Sequence, residues 1–293
     1  MKKVILYYLF TPIADPEAIK LWQADLCDKL ELKGRIIISS HGINGTLGGE
    51  LDNLKKYISR NKAYIPFKKL TYKWSESTGD DFPRLSVKVR DEIVTFGIAD
   101  ELEVTESGVV DGGKHIKPEK LHELIKEKEV VFMDGRNNYE SAVGKFKNAV
   151  TPNVSNTRDF KNELDKPEYS ELKGKTVVTY CTGGIRCEVL TSMMNKRGFK
   201  DVYQIEGGIA KYIEKYGDKG LWEGSLYVFD KRMNLKPSDK TIDIGICSYC
   251  NEHTSRYINC SNKACNQLIL VCNKCDQQTY CTLCCDKFAP VNN

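Results

Sequence analysis

Long apolar runs are missing from this chain. Hydrophobic residues make up 41% of it and charged ones 29%, and no stretch approaches the roughly 20 residues that a membrane-spanning helix needs. No membrane role is expected. The opening MKKVILYYLF pairs two lysines with a short apolar run but has no small-residue cleavage site after it, so an opening strand explains it better than a signal peptide. Histidine is scarce, with four in 293 residues. No His and carboxylate facial triad for iron and no flavin fingerprint can be assembled, so no organic cofactor is expected. Cysteine is nearly absent before Cys247, where only Cys27, Cys181 and Cys187 occur. Nothing indicates export, which argues against a disulfide framework and for a reducing cytoplasm with thiols kept for metal and catalysis.

What is present divides the chain into three segments, expected at residues 1–91, 112–222 and 241–288. In the first, VILYYLF reads as a buried strand. Asp15 and Pro16 open a helix whose apolar positions Ile19, Leu21, Trp22, Leu26 and Leu30 mark an inner face until Gly34 stops it. RIIIS and INGTL follow as strands joined at His41-Gly42, then a helix over 52–60, and final β segments at 70–74 and 85–89. The order βαββαβ predicts a ferredoxin-like, acylphosphatase-like module. Residues 52–90 carry ten Lys or Arg against four Asp or Glu. Lys55, Lys56, Arg60, Lys62, Lys68, Lys69, Lys73, Arg84, Lys88 and Arg90 are interleaved with Tyr57, Tyr64, Phe67, Tyr72 and Trp74. Two readings stand level: an RNA-binding surface with stacking rings, or a solvated face over a core that contains them. HGINGTLGG matches no phosphate-loop pattern and says only that the backbone turns tightly.

After SGVVDGG, which reads as a connector, strands and helices alternate. Pro118 opens a helix, VVFMD is a strand, and TVVTY, a helix over 188–196 and DVYQI continue a parallel α/β domain. Its chemical centre is TVVTYCTGGIRCE. A strand ends in Cys181, and the loop Thr182, Gly183, Gly184, Ile185 leads through Arg186 into a helix. Such a loop can aim several N–H groups and a helix N-terminus at the Cys181 sulfur, stabilising a thiolate for nucleophilic or sulfur-carrying work. From Cys181 to Arg186 the ring holds six residues, one fewer than the phosphate cradle of cysteine-dependent phosphatases, which suits a smaller guest. Arg186 is a candidate catalytic cation or a clamp to a domain carboxylate such as Asp134. Cys187 is expected to be a buried thiol rather than a resolving partner, and Glu188 is expected to cap the helix.

Nine cysteines fall between Cys247 and Cys285. Cys247 and Cys250, Cys260 and Cys265, Cys272 and Cys275, and Cys281 and Cys284 form four short-spaced pairs, enough thiolates for two structural zinc ions. Sequential and interleaved pairings of these knuckles both work. Cys285 is left over, and His253 is a surface residue or a substitute ligand.

DGRNNYESAVGKFKNAVTPN resembles the rhodanese homology domain, with Cys181 where the active-site cysteine lies. HGINGTLGG, RNNYE, CTGGIRCE, YQIEGGI and WEGSLYVFD, in this order over residues 1 to about 235, look like the rhodanese-like tRNA uridine hydroxylases. That resemblance implies oxygen-dependent 5-hydroxylation of the wobble uridine, with tRNA as partner, O2 as co-substrate, an unidentified electron donor and Cys181 as active-site residue. Two other readings of the residues remain: a persulfide sulfurtransferase, and a non-catalytic zinc and RNA-binding module.

Overall fold

The computed structural model describes residues 1–277 and 280–288, the side chains of 286–288 apart. The first module is a five-stranded sheet: β1 (Lys2–Phe10), β2 (Lys33–Ser39), β3 (Gly42–Glu50), β4 (Thr71–Glu76) and β5 (Leu85–Val89), ordered β4-β1-β3-β2-β5. The first four strands have the ferredoxin-like order, and β5 adds to the edge parallel to β2. Helices α1 (Pro16–Lys29) and α2 (Leu51–Ala63) cover one face. Asp15 accepts from the Ala18 N–H at 3.0 Å and Pro16 occupies the first turn, the start signal legible in the sequence.

One expectation about this module changes. Leu21 is 68% exposed rather than inward, while Gln23, on the buried face of α1, has no accessible surface. Gln23 donates to Asn61 at 2.9 Å and receives the Tyr57 hydroxyl, which also meets Tyr7. This buried polar knot is satisfied internally, and its Gln interrupts the apolar periodicity that Leu21 mimics. Gly45 in β3 is required by packing: a Cβ there would stand 2.2 Å from the Tyr7 ring.

The connector carries a small hairpin, β6 (Val104–Thr105) with β7 (Gly108–Val109). It is not loose. Ile93, Phe96 and Ile98 bury themselves in one core with Phe10 of β1 and Phe160, Val177, Val189 and Met194 beyond, so the first two modules share apolar packing.

The second module is a parallel sheet of β8 (Lys114–Ile116), β9 (Val130–Asp134), β11 (Thr176–Tyr180) and β12 (Asp201–Ile205), ordered β8-β12-β11-β9. A short strand, β10 (Gly144–Phe146), lies outside it and pairs with β13 (Trp222–Gly224). Helices α3 (Pro118–Glu127), α4 (Asn138–Ser141), α5 (Phe160–Glu163), α6 (Ile185–Lys196) and α7 (Gly208–Tyr216) complete it. Every residue of β11 is buried, as expected of a central parallel strand covered on both faces. Its C-terminal end therefore delivers Cys181 to the sheet edge where α/β proteins gather their functional loops.

Beyond it run the pair β14 (Leu226–Tyr227) and β15 (Asn234–Leu235), then the tail hairpin of β16 (Tyr257–Asn259) and β17 (Leu268–Leu270), and α8 (Thr282–Phe288). The tail docks on α4: Tyr257 donates to the Tyr139 carbonyl at 2.6 Å, and the Tyr227 ring packs edge-on against both Tyr139 and Tyr257.

Candidate active site

Cys181 is fully buried, and its sulfur accepts the Gly184 N–H at 3.1 Å. Gly184 holds φ +101° as the residue before α6, a conformation that disfavours any side chain, and a Cβ there would come 2.9 Å from the Tyr8 hydroxyl. The loop is locked from below by the glycine pair of YQIEGGI, between β12 and α7. Ile209 and Ala210 donate their N–H groups to the Cys181 and Thr182 carbonyls at 2.9 and 3.1 Å. Gly208 adopts φ +68°, and a Cβ on it would lie 2.4 Å from the Cys181 carbonyl oxygen. Only glycine allows α7 to approach this closely.

Burial opposes ionisation of Cys181, but the Cys187 thiol, the Arg186 guanidinium and the N–H groups of Cys187 and Gly184 outweigh it, and its thiol falls to about 5. Cys187, equally buried, moves the other way, pushed up by burial and by the neighbouring Cys181. The two thiols therefore divide into a thiolate and a neutral donor. Cys187 is the buried thiol that the sequence predicted.

Arg186 is a clamp to a carboxylate, but that carboxylate is Glu140. Arg186 meets Glu140 through both terminal nitrogens, Nη2 to Oε1 at 2.7 Å and Nη1 to Oε2, and Nη2 reaches the Thr182 hydroxyl at 3.3 Å. Glu140 is fully buried and also accepts the Asn137 N–H at 3.2 Å across the first turn of α4. Asp134 is unavailable because it already holds Arg136 at 2.9 and 2.7 Å. A bidentate, desolvated pair of this kind fixes the guanidinium plane while leaving its charge beside the sulfur. Glu140 follows from the residues only if α4 is known to cross the loop, which no local spacing reveals.

Glu188 does not cap α6. Its carboxylate accepts from Tyr8 at 3.0 Å and Gln204 at 2.8 Å and lies 3.3 Å from His115. Although burial raises it, these partners hold the carboxyl below its ordinary value. Tyr8 belongs to β1, so the first module reaches the active-site helix directly. It does so again through Lys73 of β4, which donates to the Gly183 carbonyl and lies over the Tyr8 ring, 5.5 Å from its centroid.

Between the modules opens a cleft of about 1420 Å³ whose lining includes Tyr8, Lys73, Trp74, Thr182, Gly183 and Phe229. The rings of Trp74 and Phe229 are 45% and 54% exposed, and the Arg186 guanidinium lies 5.8 Å from the Phe229 centroid. The basic, aromatic stretch of residues 52–90 resolves into two populations. Tyr57 and Phe67 have no exposed surface and are core. Of the ten cations, only Lys69 and Lys73 line the cleft. Phe229 and Tyr8 escaped the sequence reading because each looks like an ordinary strand or loop aromatic until the modules are docked.

The tail cysteines form two closed groups, Cys247, Cys250, Cys272 and Cys275, and Cys260, Cys265, Cys281 and Cys284, with each group's sulfurs within 4.8 Å of one another. The pairing is interleaved. In each group a backbone N–H from the later knuckle donates to a sulfur of the earlier one, Cys272 to Cys247 and Cys281 to Cys260, both at 3.4 Å. Four convergent thiolates with such supporting N–H bonds fit a tetrahedral metal ion. His253 is exposed and outside both groups, as is the half-buried Cys285.

Three family models match: the UPF0176 acylphosphatase like domain over residues 2–93, the Rhodanese-like domain over 117–215 and the Rhodanase C-terminal region over 223–287. The chain is 57% identical to a tRNA uridine(34) hydroxylase of Corynebacterium jeikeium, covering 93% of this chain and 89% of that one. It is 55% identical to the protein of the same name from Corynebacterium kroppenstedtii, covering 97% and 98%. A third, from an Arthrobacter species, is 55% identical, covering 94% of both. Identity at this level across essentially the whole length means that the chain belongs to the tRNA uridine(34) hydroxylase family.

Proposed function

We propose that this chain hydroxylates C5 of the wobble uridine of tRNA with molecular oxygen, and that Cys181 is the reacting group. The observation that carries the chemistry is the thiolate: a buried sulfur that accepts the Gly184 N–H and lies beside a charge pinned by Glu140. Such a sulfur can add to C6 of uracil, which breaks the C5–C6 π bond and leaves C5 electron-rich. One atom of O2 then bonds to C5 and the other leaves as water, with a pair of electrons and protons supplied by a two-electron donor. Loss of the C5 proton expels the thiolate and restores the ring. Arg186 balances the sulfur's charge, and Thr182, Gly183, Gly184 and Ile185 supply the loop that shapes the pocket. The cleft beside them has room for a nucleotide withdrawn from its stack, with Trp74 and Phe229 as exposed rings to receive it.

The tail clusters would hold two zinc ions, structural because four protein thiolates leave no open position for substrate. The cytoplasm, where tRNA resides, is the compartment this reading requires. The test is nucleoside mass spectrometry of tRNA from cells with this chain, with its Cys181→Ser variant and with neither. 5-Hydroxyuridine should depend on the chain and vanish with Cys181→Ser. Undiminished modification in the variant sinks the assignment, and robust sulfur transfer from thiosulfate to cyanide without hydroxylation would replace it with sulfurtransfer.

A further inference from the structure

One peptide unit joins the first module to the reactive sulfur. Its carbonyl belongs to Gly183 and accepts from the Lys73 ammonium. Its N–H belongs to Gly184 and donates to Cys181 Sγ at 3.1 Å. A cation on the oxygen of an amide draws electron density along the unit and makes the N–H a stronger donor, the ordinary cooperativity of hydrogen bonds in series. No carboxylate pairs with Lys73 among the ion pairs of the described residues, and its ammonium is instead spent on this carbonyl and the Tyr8 ring. Even a half-buried ammonium without a counter-carboxylate is costly unless something nearby carries negative charge.

We propose that Lys73 is a positioning residue of the Cys181 site, polarising the Gly183-Gly184 peptide so that its N–H stabilises the thiolate, and that the reactive cradle is complete only when the first module is docked. This rests on the reading of Cys181 as the reactive thiolate. It assigns the first module a part in the chemistry beyond holding RNA. It also accounts for a sequence feature left over: of the ten cations in residues 52–90, Lys73 is the one that touches the loop.

Burial disfavours the cationic form of Lys73, as does Lys211 of α7, whereas Cys181 and Glu188 favour it. The groups that bear on Cys181 are Cys187, Arg186, Tyr8 and Lys73 itself, so replacing Lys73 removes both its through-space charge and the polarised N–H. A lysine whose role is only to glue two modules together would leave the sulfur's titration alone, and that separates the two roles.

The experiment follows the β-carbon resonance of Cys181 with pH in the full chain carrying isotope-labelled cysteine, the signal being assigned by its loss in Cys181→Ser. The variants are Lys73→Met, which keeps the aliphatic stem, and Lys73→Arg, which keeps the charge. The wild-type midpoint should lie well below that of a free thiol. Lys73→Met should raise it by about one pH unit or more, a tenfold loss of thiolate on the flank of the curve, and Lys73→Arg should restore most of the shift. Thermal unfolding of each variant checks that it is folded, and Lys73→Gln serves as a second neutral variant should Lys73→Met fail to fold. A depressed wild-type midpoint that neither neutral variant moves overturns the role of Lys73 and leaves the thiolate reading standing. A wild-type midpoint in the range of a free thiol overturns both.

Discussion

Cysteine sits in two kinds of surroundings in this chain, and they predict different chemistry for the sulfurs. In the tail, eight thiols face one another in two groups of four, each group a closed shell of sulfurs. At the end of β11, Cys181 faces no other ligand set. It meets an N–H, a neutral thiol and a guanidinium, so its negative charge is matched while its lone pairs are not all consumed. Closed coordination yields stability and no reactivity; open stabilisation yields a nucleophile. The two regions can be made to fail separately.

The largest effect expected is on the tail. Structural zinc in a small thiolate site is worth an apparent 10–16 kcal/mol or so at neutral pH, and the tail's apolar core beyond its cysteines is small, with Ile269 and Val271 the other buried members. Stripping metal with a chelator should therefore abolish the protection of the β16 and β17 amides against hydrogen exchange while β11 stays protected. Metal analysis should give two ions per chain, and Cys272→Ser should remove one of them. Loss of protection in both regions at once would show that they are not independent.

Next in size is the cradle. Cys181→Ala should lower hydroxylation by about 10³-fold or more, roughly 4 kcal/mol of barrier, with metal content and thermal unfolding close to those of the parent. Glu140→Gln should act differently, on both fold and rate, because it leaves Arg186 buried without its counter-charge. A loss of about 3 kcal/mol in urea-unfolding stability is expected, and a change under about 1 kcal/mol would mean that the pair is solvated in solution.

The thiolate also gives this region a pH signature of its own. A thiol depressed to about 5 in the fold and ordinary near 8.5 when unfolded contributes stability that is fully present above the unfolded value. It declines as pH falls from there toward 5 and is gone below it. Unfolding midpoints measured across that window should fall more steeply for the parent than for Cys181→Ser. Parallel curves would place the proton on Cys181.

The contrast also explains which parts could be read from the residues. Paired spacing such as Cys247 with Cys250 suggests a metal knuckle because both thiols sit in one short turn; a single strand-end cysteine followed by Thr-Gly-Gly-Ile-Arg suggests a loop for the same local reason. The fold classes were equally legible, since β-branched TVVTY and the Asp15-Pro16 start are local signals. What stayed hidden was every contact between elements distant in sequence: Glu140 on Arg186, Tyr8 on Glu188, Lys73 on Gly183, and the interleaving of the knuckles. Leu21 misled for a related reason, as helical spacing alone does not say that a buried Gln23 will find Asn61 and Tyr57.

The smallest effect probes the seam between the two regions. Tyr257 of β16 gives its hydroxyl proton to the carbonyl of Tyr139 at 2.6 Å, and Tyr139 precedes Glu140, the carboxylate that pins Arg186. The route from tail to sulfur is thus short: a hairpin, one turn of helix, one ion pair. Tyr257→Phe removes the bond but keeps the ring and its edge-on contact with Tyr227, so the stability loss should be about 1 kcal/mol. If the tail only caps the second module, the hydroxylation rate should stay within about twofold, since a change of that size is under about 0.5 kcal/mol of barrier. A larger fall in rate, with metal content intact, would mean that α4 shifts when the tail lets go and that Arg186 moves with it. The metal sites would then act on the reactive sulfur by holding a helix in place, and the separation of the two kinds of cysteine would be one of chemistry but not of mechanics.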